Sequence, residues 1–276
     1  MLGTTALSWL HEIPSHPSSN DWVREHLDRL APGTVAWVHR QSAGRGQRGR
    51  KWFSPDGSLT FTIRGDAPMA QASLTGLVAG LAVCEAIDDL LVAAKHRLRT
   101  RIKWPNDVYL DDGKLAGILC ESAYGSSRPP ASGELLPCAV GIGLNLKADF
   151  TADLLGQFSA SHRRPVSLHT YIPPPSDPRM LLAEIRRYLL EGLGLLRAGG
   201  WHHLLERLRS RDWLEGRSIS IDDGQRQACG HAIGIDEEGG LLVSPHHGGM
   251  TSFQSGLITV HDNLSSPDHR EEKADA

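Results

Sequence analysis

The chain has 276 residues, 40% of them hydrophobic and 22% charged, and carries a formal net charge of -3 at neutral pH. That length allows one sizeable domain and a second small one, each with its own core. The balance excludes a disordered chain, a membrane protein and a generally basic nucleic-acid binder.

In chain order, short runs bounded by Gly, Pro or Asp predict strands over Val35–Val38 and Leu59–Ile63. The apolar stripe Leu74, Leu77, Val78, Leu81 and Ile87 then has the three-and-four spacing of a helix packed on a sheet. Further strands are predicted over Arg101–Trp104, Val108–Leu110, Leu115–Glu121 and Ala139–Leu146, the last two joined by a flexible loop, Ala123–Pro137. Tyr171–Pro178 reads as a stiff connector before a second helix, whose stripe is Leu182, Ile185, Leu189, Leu193 and Leu196. Past Trp213, β-rich runs at Ser218–Ile221, Cys229–Ile235, Leu241–Val243 and Ser255–Val260 are separated by DDG, DEEGG and HHGG turns, which predicts a small barrel. The closing SSPDHREEKADA reads as a disordered tail.

Cys84, Cys120, Cys138 and Cys229 stand far apart with no C-x-x-C pair, a pattern of free thiols in a reducing cytoplasm rather than a disulfide framework or thiolate metal site. Met1–Leu10 has no basic n-region, and no apolar run approaches the length of a membrane span. The pairs His202-His203 and His246-His247 lack partners at ligand spacing and read as surface residues. Trp9, Trp22, Trp201 and Trp213 read as packing residues, and Cys120 as a small core residue.

Three segments carry chemistry. Gly44–Trp52 reads GRGQRGRKW. Its glycines fit the dinucleotide fingerprint, but Pro55 and Gly57 precede a strand where that motif needs a helix. The P-loop spacing also nearly fits, but Arg50 and Lys51 leave no hydroxyl for magnesium. What remains is a turn between strands, either a plain solvated one or one whose N–H groups and cations (Arg45, Arg48, Arg50, Lys51) hold a phosphate or carboxylate. The second segment, Arg101–Glu121, reads as a hairpin with Lys103, Asp107 and Lys114 near its strand ends, where stability gives little reason for them. The third, AVGIGLN at Ala139–Asn145, is an apolar strand whose two glycines serve close packing or a ligand against the backbone.

Together these segments resemble the bacterial biotin-protein ligases, or biotin-[acetyl-CoA-carboxylase] ligases. GRGQRGRKWFSP is similar to their GRGxxGRxWxSP signature, KWPNDVYLDDGKLAGIL to their KWPND…K-x-x-GIL segment, GIGLN to their GIGxN motif and PSSND at Pro17–Asp21 to their (D/H)STN element. The resemblance runs from about residue 8 to residue 262. It implies an α+β fold: a catalytic domain (1–212) with a mixed sheet flanked by helices, as in class II aminoacyl-tRNA synthetases, then a small SH3-like barrel (213–262) and the tail (263–276). It also implies a two-step reaction, in which biotin and ATP give biotinyl-5′-AMP and a lysine of a biotin carboxyl carrier protein then takes the biotin.

Carried over residue by residue, the resemblance implies that Ser18, Ser19, Asn20, Gln41 and Gly117 line the biotin pocket, and that Gly44, Arg45, Gly46 and Gln47 close over it. Arg45 and Arg48 would answer the phosphate charge and Trp52 would stack on adenine. Lys114 would hold carboxylate and α-phosphate together with help from Lys103, and Asp107 would orient the acceptor amine. Asn106, Gly143 and Asn145 would lie near the nucleotide, with Mg2+ carried in by ATP near Asn145 and no dedicated side-chain metal site. Gln47 stands where many members have arginine, which predicts faster escape of the adenylate, testable by chasing preformed intermediate. Only 17 residues precede Ser18, too few for a helix-turn-helix DNA reader, so the monofunctional form without nucleic-acid binding is expected. A possible homodimer is likewise implied by resemblance alone. A lipoate or octanoate ligase and a non-enzymatic biotin or nucleotide sensor are the competing readings; the GRGxxGR and KWPND segments speak against the first and the charged trio Lys103, Asp107 and Lys114 against the second.

Overall fold

A computed structural model describes residues 7–122, 133–156 and 164–261. The tail lies outside them, as does most of the Ala123–Pro137 loop.

Seven strands form one mixed sheet: β1 (Leu10–His16), β2 (Val35–Gln41), β3 (Ser58–Pro68), β4 (Thr100–Lys103), β5 (Asp107–Leu110), β6 (Gly113–Ser122) and β7 (Leu135–Asn145), in the order β1-β2-β3-β7-β6-β5-β4. Of the strand pairs among the described residues, β1 and β2 alone run parallel. The sequence reading missed β1; its Pro14 interrupts the pattern, and proline is tolerated there because β1 is the edge strand. It also ended the loop too late, since Leu135, Leu136 and Pro137 already pair with β3.

Among the described residues, five α-helices accompany the two sheets: α1 (Ser19–Glu25), α2 (Thr75–Ala93), α3 (Ala152–Leu155), α4 (Pro178–Arg197) and α5 (Trp201–Arg209). Both predicted stripes are buried, and α2 and α4 pack together on one face of the large sheet. Asp177 caps α4 by accepting a hydrogen bond from the Arg179 amide at 3.0 Å, and Pro178 opens the helix where its missing N–H costs nothing. Neither α1 nor α5 was predicted; α1 is under two turns of polar sequence, too short to show a period.

A second, five-stranded antiparallel sheet is built from β8 (Ser218–Asp222), β9 (Gln227–Ile235), β10 (Leu241–Pro245), β11 (Thr251–Phe253) and β12 (Leu257–His261), in the order β11-β10-β9-β8-β12. It shares one apolar core with the first: Ile219, Ala232, Leu241 and Phe253 belong to the cluster that holds Leu74, Leu77 and Tyr109. The Trp104 indole N–H donates to the Gly239 carbonyl at 2.9 Å and ties the two sheets together.

Candidate active site

With α2 and α4 on one face, strands β6 and β7 must alternate apolar residues toward the helices with something else on the other face. Ile118, Val140, Ile142 and Leu144 take the helix side; Gly117, Gly141, Gly143 and Asn145 take the other. Gly117 and Gly143 are direct partners in register, so a patch of bare backbone forms the floor of the site. Trp52 lies on that floor. A Cβ on Gly143 would come within 2.3 Å of its indole, and one on Gly117 within 2.9 Å. The Trp52 Nε1 is buried without a hydrogen-bond partner among the described residues.

One end of the site is set by α1, which packs on β2, β3 and β7. Asn20 is 3% exposed, and its amide donates to the Leu119 carbonyl at 3.0 Å and to Glu121 Oε2 at 2.7 Å. The Thr62 hydroxyl donates to Asn20 Oδ1 at 2.6 Å and lies 2.8 Å from Ser19 Oγ, and Gln41 Oε1 accepts from the Ser19 amide at 2.7 Å. Gly141 leaves room for this network, since a Cβ there would stand 2.0 Å from Asn20 Oδ1.

The basic loop folds into a small hairpin. The Trp52 amide donates to the Gly44 carbonyl at 2.9 Å, the Gly46 amide to the Arg50 carbonyl at 2.7 Å, and Arg45 bridges antiparallel to Lys51. The turn runs through Gln47–Gly49, where Arg48 at φ 56° and Gly49 at φ 72° are both left-handed. Arg48 points outward, donating to the Asp222 carbonyl of β8 at 3.3 Å. Arg45 points inward to Asp21, both of whose carboxylate oxygens lie 2.6 Å from its guanidinium nitrogens. That pairing holds the Asp21 carboxyl below its ordinary range and raises the Arg45 guanidinium further.

At the far end, the β4–β5 hairpin closes through a cis Trp104–Pro105 bond, and Asn106 seals it to β6 by donating to the Ile118 carbonyl at 2.7 Å. Lys114 reaches back so that Nζ sits 2.6 Å from Asp107 Oδ1 and 5.5 Å from the Trp52 ring centre. Asn145 donates its amide N–H to the Lys114 carbonyl at 3.2 Å.

These groups enclose a cavity of about 320 Å³. Of the residues singled out from sequence, Ser18, Ser19, Asn20, Gln41, Arg45, Gly46, Gln47, Arg50, Lys51, Trp52, Asn106, Asp107, Lys114, Gly117, Gly141, Gly143 and Asn145 line it. Gly44 does not line the cavity; its carbonyl accepts the Trp52 amide hydrogen bond that closes the hairpin. Arg48 and Lys103 do not line the cavity; Lys103 Nζ lies 5.9 Å from the Tyr109 ring. The sequence reading gave no role to Asp21 or Glu121, and for Gly141 it left close packing and a ligand against the backbone as alternatives. Gly141 carried a signal, two residues before Gly143 in the same strand, whereas the carboxylates show only once α1 and β6 meet across Arg45. Phe150 and Pro165 also line the cavity, with no signal in the sequence. Among the described residues no group of three His, Cys, Asp or Glu could hold a metal ion.

A sequence model of the biotin/lipoate A/B protein ligase family matches residues 12–132. The biotin–[acetyl-CoA-carboxylase] ligase of Mycobacterium tuberculosis is 38% identical over 247 residues, covering 83% of this chain and 79% of that protein. The ligase of the same name from Paracoccus denitrificans is 33% identical over 221 residues, covering 78% and 87%. Among solved structures, the biotin protein ligase from Aquifex aeolicus in complex with biotin and ATP superposes with a TM-score of 0.75 at 23% identity, covering 92% of this chain and 99% of that one.

Proposed function

The chain belongs to the biotin protein ligase family, and on that premise we propose how its site carries out ATP-dependent biotinylation of a protein. In the first half-reaction a biotin carboxylate oxygen attacks the α-phosphorus of ATP, forming the biotinyl-5′-AMP anhydride and releasing pyrophosphate. In the second, a lysine amine attacks the acyl carbon, forming an amide and releasing AMP. The hydroxide that biotin's acid would have to lose is thereby replaced by a good leaving group.

The observation that carries this reading is the Lys114 ammonium, held 2.6 Å from Asp107 above a glycine floor and beneath a loop of backbone donors and cations. Two anions must meet for the first step, and Lys114 is the point charge placed to neutralise both. Ser19, Asn20 and Gln41 offer the hydrogen-bonding end that a ureido ring requires, with Ser18 beside them. The Trp52 indole supplies a face for adenine and a buried N–H that an oxygen of the ligand can satisfy. Lys51 and Arg50 line the cavity from the second leg of the loop and face the phosphates. Asp107 accepts from the acceptor amine as Lys114 turns toward the phosphate.

Magnesium fits as a companion of the nucleotide rather than a resident of the protein: Asn145, its amide nitrogen engaged with Lys114, has an oxygen to offer. Bound there it neutralises phosphate charge.

The acceptor is proposed to be the carrier domain of a biotin-dependent carboxylase, with the cytoplasm as compartment and a homodimer as the assembly. Among the described residues no helix is long and apolar enough to cross a membrane.

ATP–pyrophosphate exchange with the purified chain tests the first step. Exchange is expected with biotin and not with lipoate, octanoate or no acid; exchange driven by octanoate or lipoate would move the chain to the lipoyl branch. Addition of a carrier domain should then add one biotin to one lysine by mass.

A further inference from the structure

The loop cation that sequence places first against the phosphate, Arg45, is engaged inside the protein. Asp21 of α1 grips it in the two-pronged geometry that suits guanidinium and carboxylate, and Glu121 of β6 lies 3.3 Å from its Nη2. Arg24 completes the cluster, 3.6 Å from Glu121 and 3.9 Å from Asp21, so two cations and two anions balance. Asp21 and Glu121 are each only 25% exposed, and bidentate contacts inside a network are the ones that count in such partly wet pairs. The same cluster reaches the acyl end of the cavity, because Asn20 donates to Glu121 Oε2 at 2.7 Å. On the other side it reaches the second leg of the loop, because Arg45 bridges Lys51.

We propose that Asp21 and Glu121 are positioning residues that clamp Arg45, dock the 44–52 hairpin on α1 and β6, and so set how long the acyl-adenylate is retained. Arg45 is an anchor, and the charge facing the phosphate comes from Lys51 and Arg50 at the far leg. The clamp spans the cavity mouth from the residues that meet the acyl group to those that meet the nucleotide. Undocking the hairpin therefore opens both ends at once. This inference rests on the ligase reading for its adenylate, but not for the docked loop itself.

Two measurements on the full chain separate those dependencies. In the ligand-free protein, hydrogen exchange at the Gly46 and Trp52 amides, both bonded within the hairpin, should quicken about tenfold in Asp21→Asn and return to the parent rate in Asp21→Glu. With biotin and ATP, dilution-chase of preformed adenylate should show release about tenfold faster in Asp21→Asn and in Arg45→Met, with the double variant no faster than either single one. Unchanged amide exchange in Asp21→Asn overturns the clamp whatever the enzyme's activity. Additive effects of the two substitutions on release overturn it too, since they would mean that Arg45 meets the phosphate directly. If the parent chain makes no adenylate, the ligase reading falls, and amide exchange alone decides whether the clamp exists.

Discussion

Replacing Lys114 by alanine removes the ammonium but keeps the backbone carbonyl to which Asn145 is bonded, so the strand should survive the change. Pyrophosphate exchange is expected to fall by about 10²–10³-fold, the usual consequence of deleting a preorganised charge contact in a water-poor site. A folded Lys114→Ala protein with near-normal exchange would remove Lys114 from the mechanism. Gly143 acts through what it lacks. A methyl group there would stand 2.3 Å from the Trp52 indole, which must then leave the floor. Gly143→Ala is expected to lower exchange about a hundredfold through a misplaced ring, with a near-native melting temperature because the alanine methyl faces the cavity rather than the core. Rates within twofold of the parent would show that the ring has no fixed place in the reaction. These glycines were legible as a motif, but their reason was not. Whether they served strand packing or a ligand depended on which face Trp52 covers.

At the scale of elements, the segment after α5 titrates the fold. Burial pushes the Asp212 carboxyl up to about 6 from an ordinary value of 3.8, against the opposing hydrogen bond from the Leu214 amide, and its Oδ2 is buried with no partner among the described residues. The folded chain therefore keeps a proton that the unfolded chain releases near pH 4, and this site's stability is present below that pH and lost as pH rises through about 6. Denaturant titrations of the parent and of Asp212→Asn should diverge in the variant's favour by about 3 kcal/mol between pH 4 and pH 7. A difference that does not change with pH would show that Asp212 is ionised in the fold. Neither α5 nor this carboxylate was anticipated. The helix α4, by contrast, was readable from its stripe because one long face had to be apolar, and its cap and Pro178 mark its start.

For the whole molecule, the two sheets share one core, and Gly239 sits at the seam with φ 82°. A Cβ there would come 2.3 Å from Leu74 Cδ2, on the residue just before α2. Gly239→Ala is expected to cost about 2–3 kcal/mol, combining left-handed strain with overpacking, and to lower the stability of both sheets together in a single unfolding transition. Two separate transitions, with only the second sheet affected, would show that the core is divided. The shared core also explains how Arg48 comes to bond β8: a seam that fixes the small sheet brings Asp222 beside the turn of the basic loop.

The sequence by itself determined the two main helices and most strands, because periodicity is a local property written along the chain, while the α+β class and most of the cavity-lining residues it singled out came from motifs that resemble those of the ligase family. Tertiary structure alone decided the parts that depend on distant residues meeting. It made β1 an edge strand, turned Arg48 away from the cavity, and placed Asp21 and Glu121, 100 residues apart, around one guanidinium. A charge on a loop says that an anion is wanted nearby. Which anion it meets is decided by what the fold brings within 3 Å, since charge-assisted hydrogen bonds act only at that range.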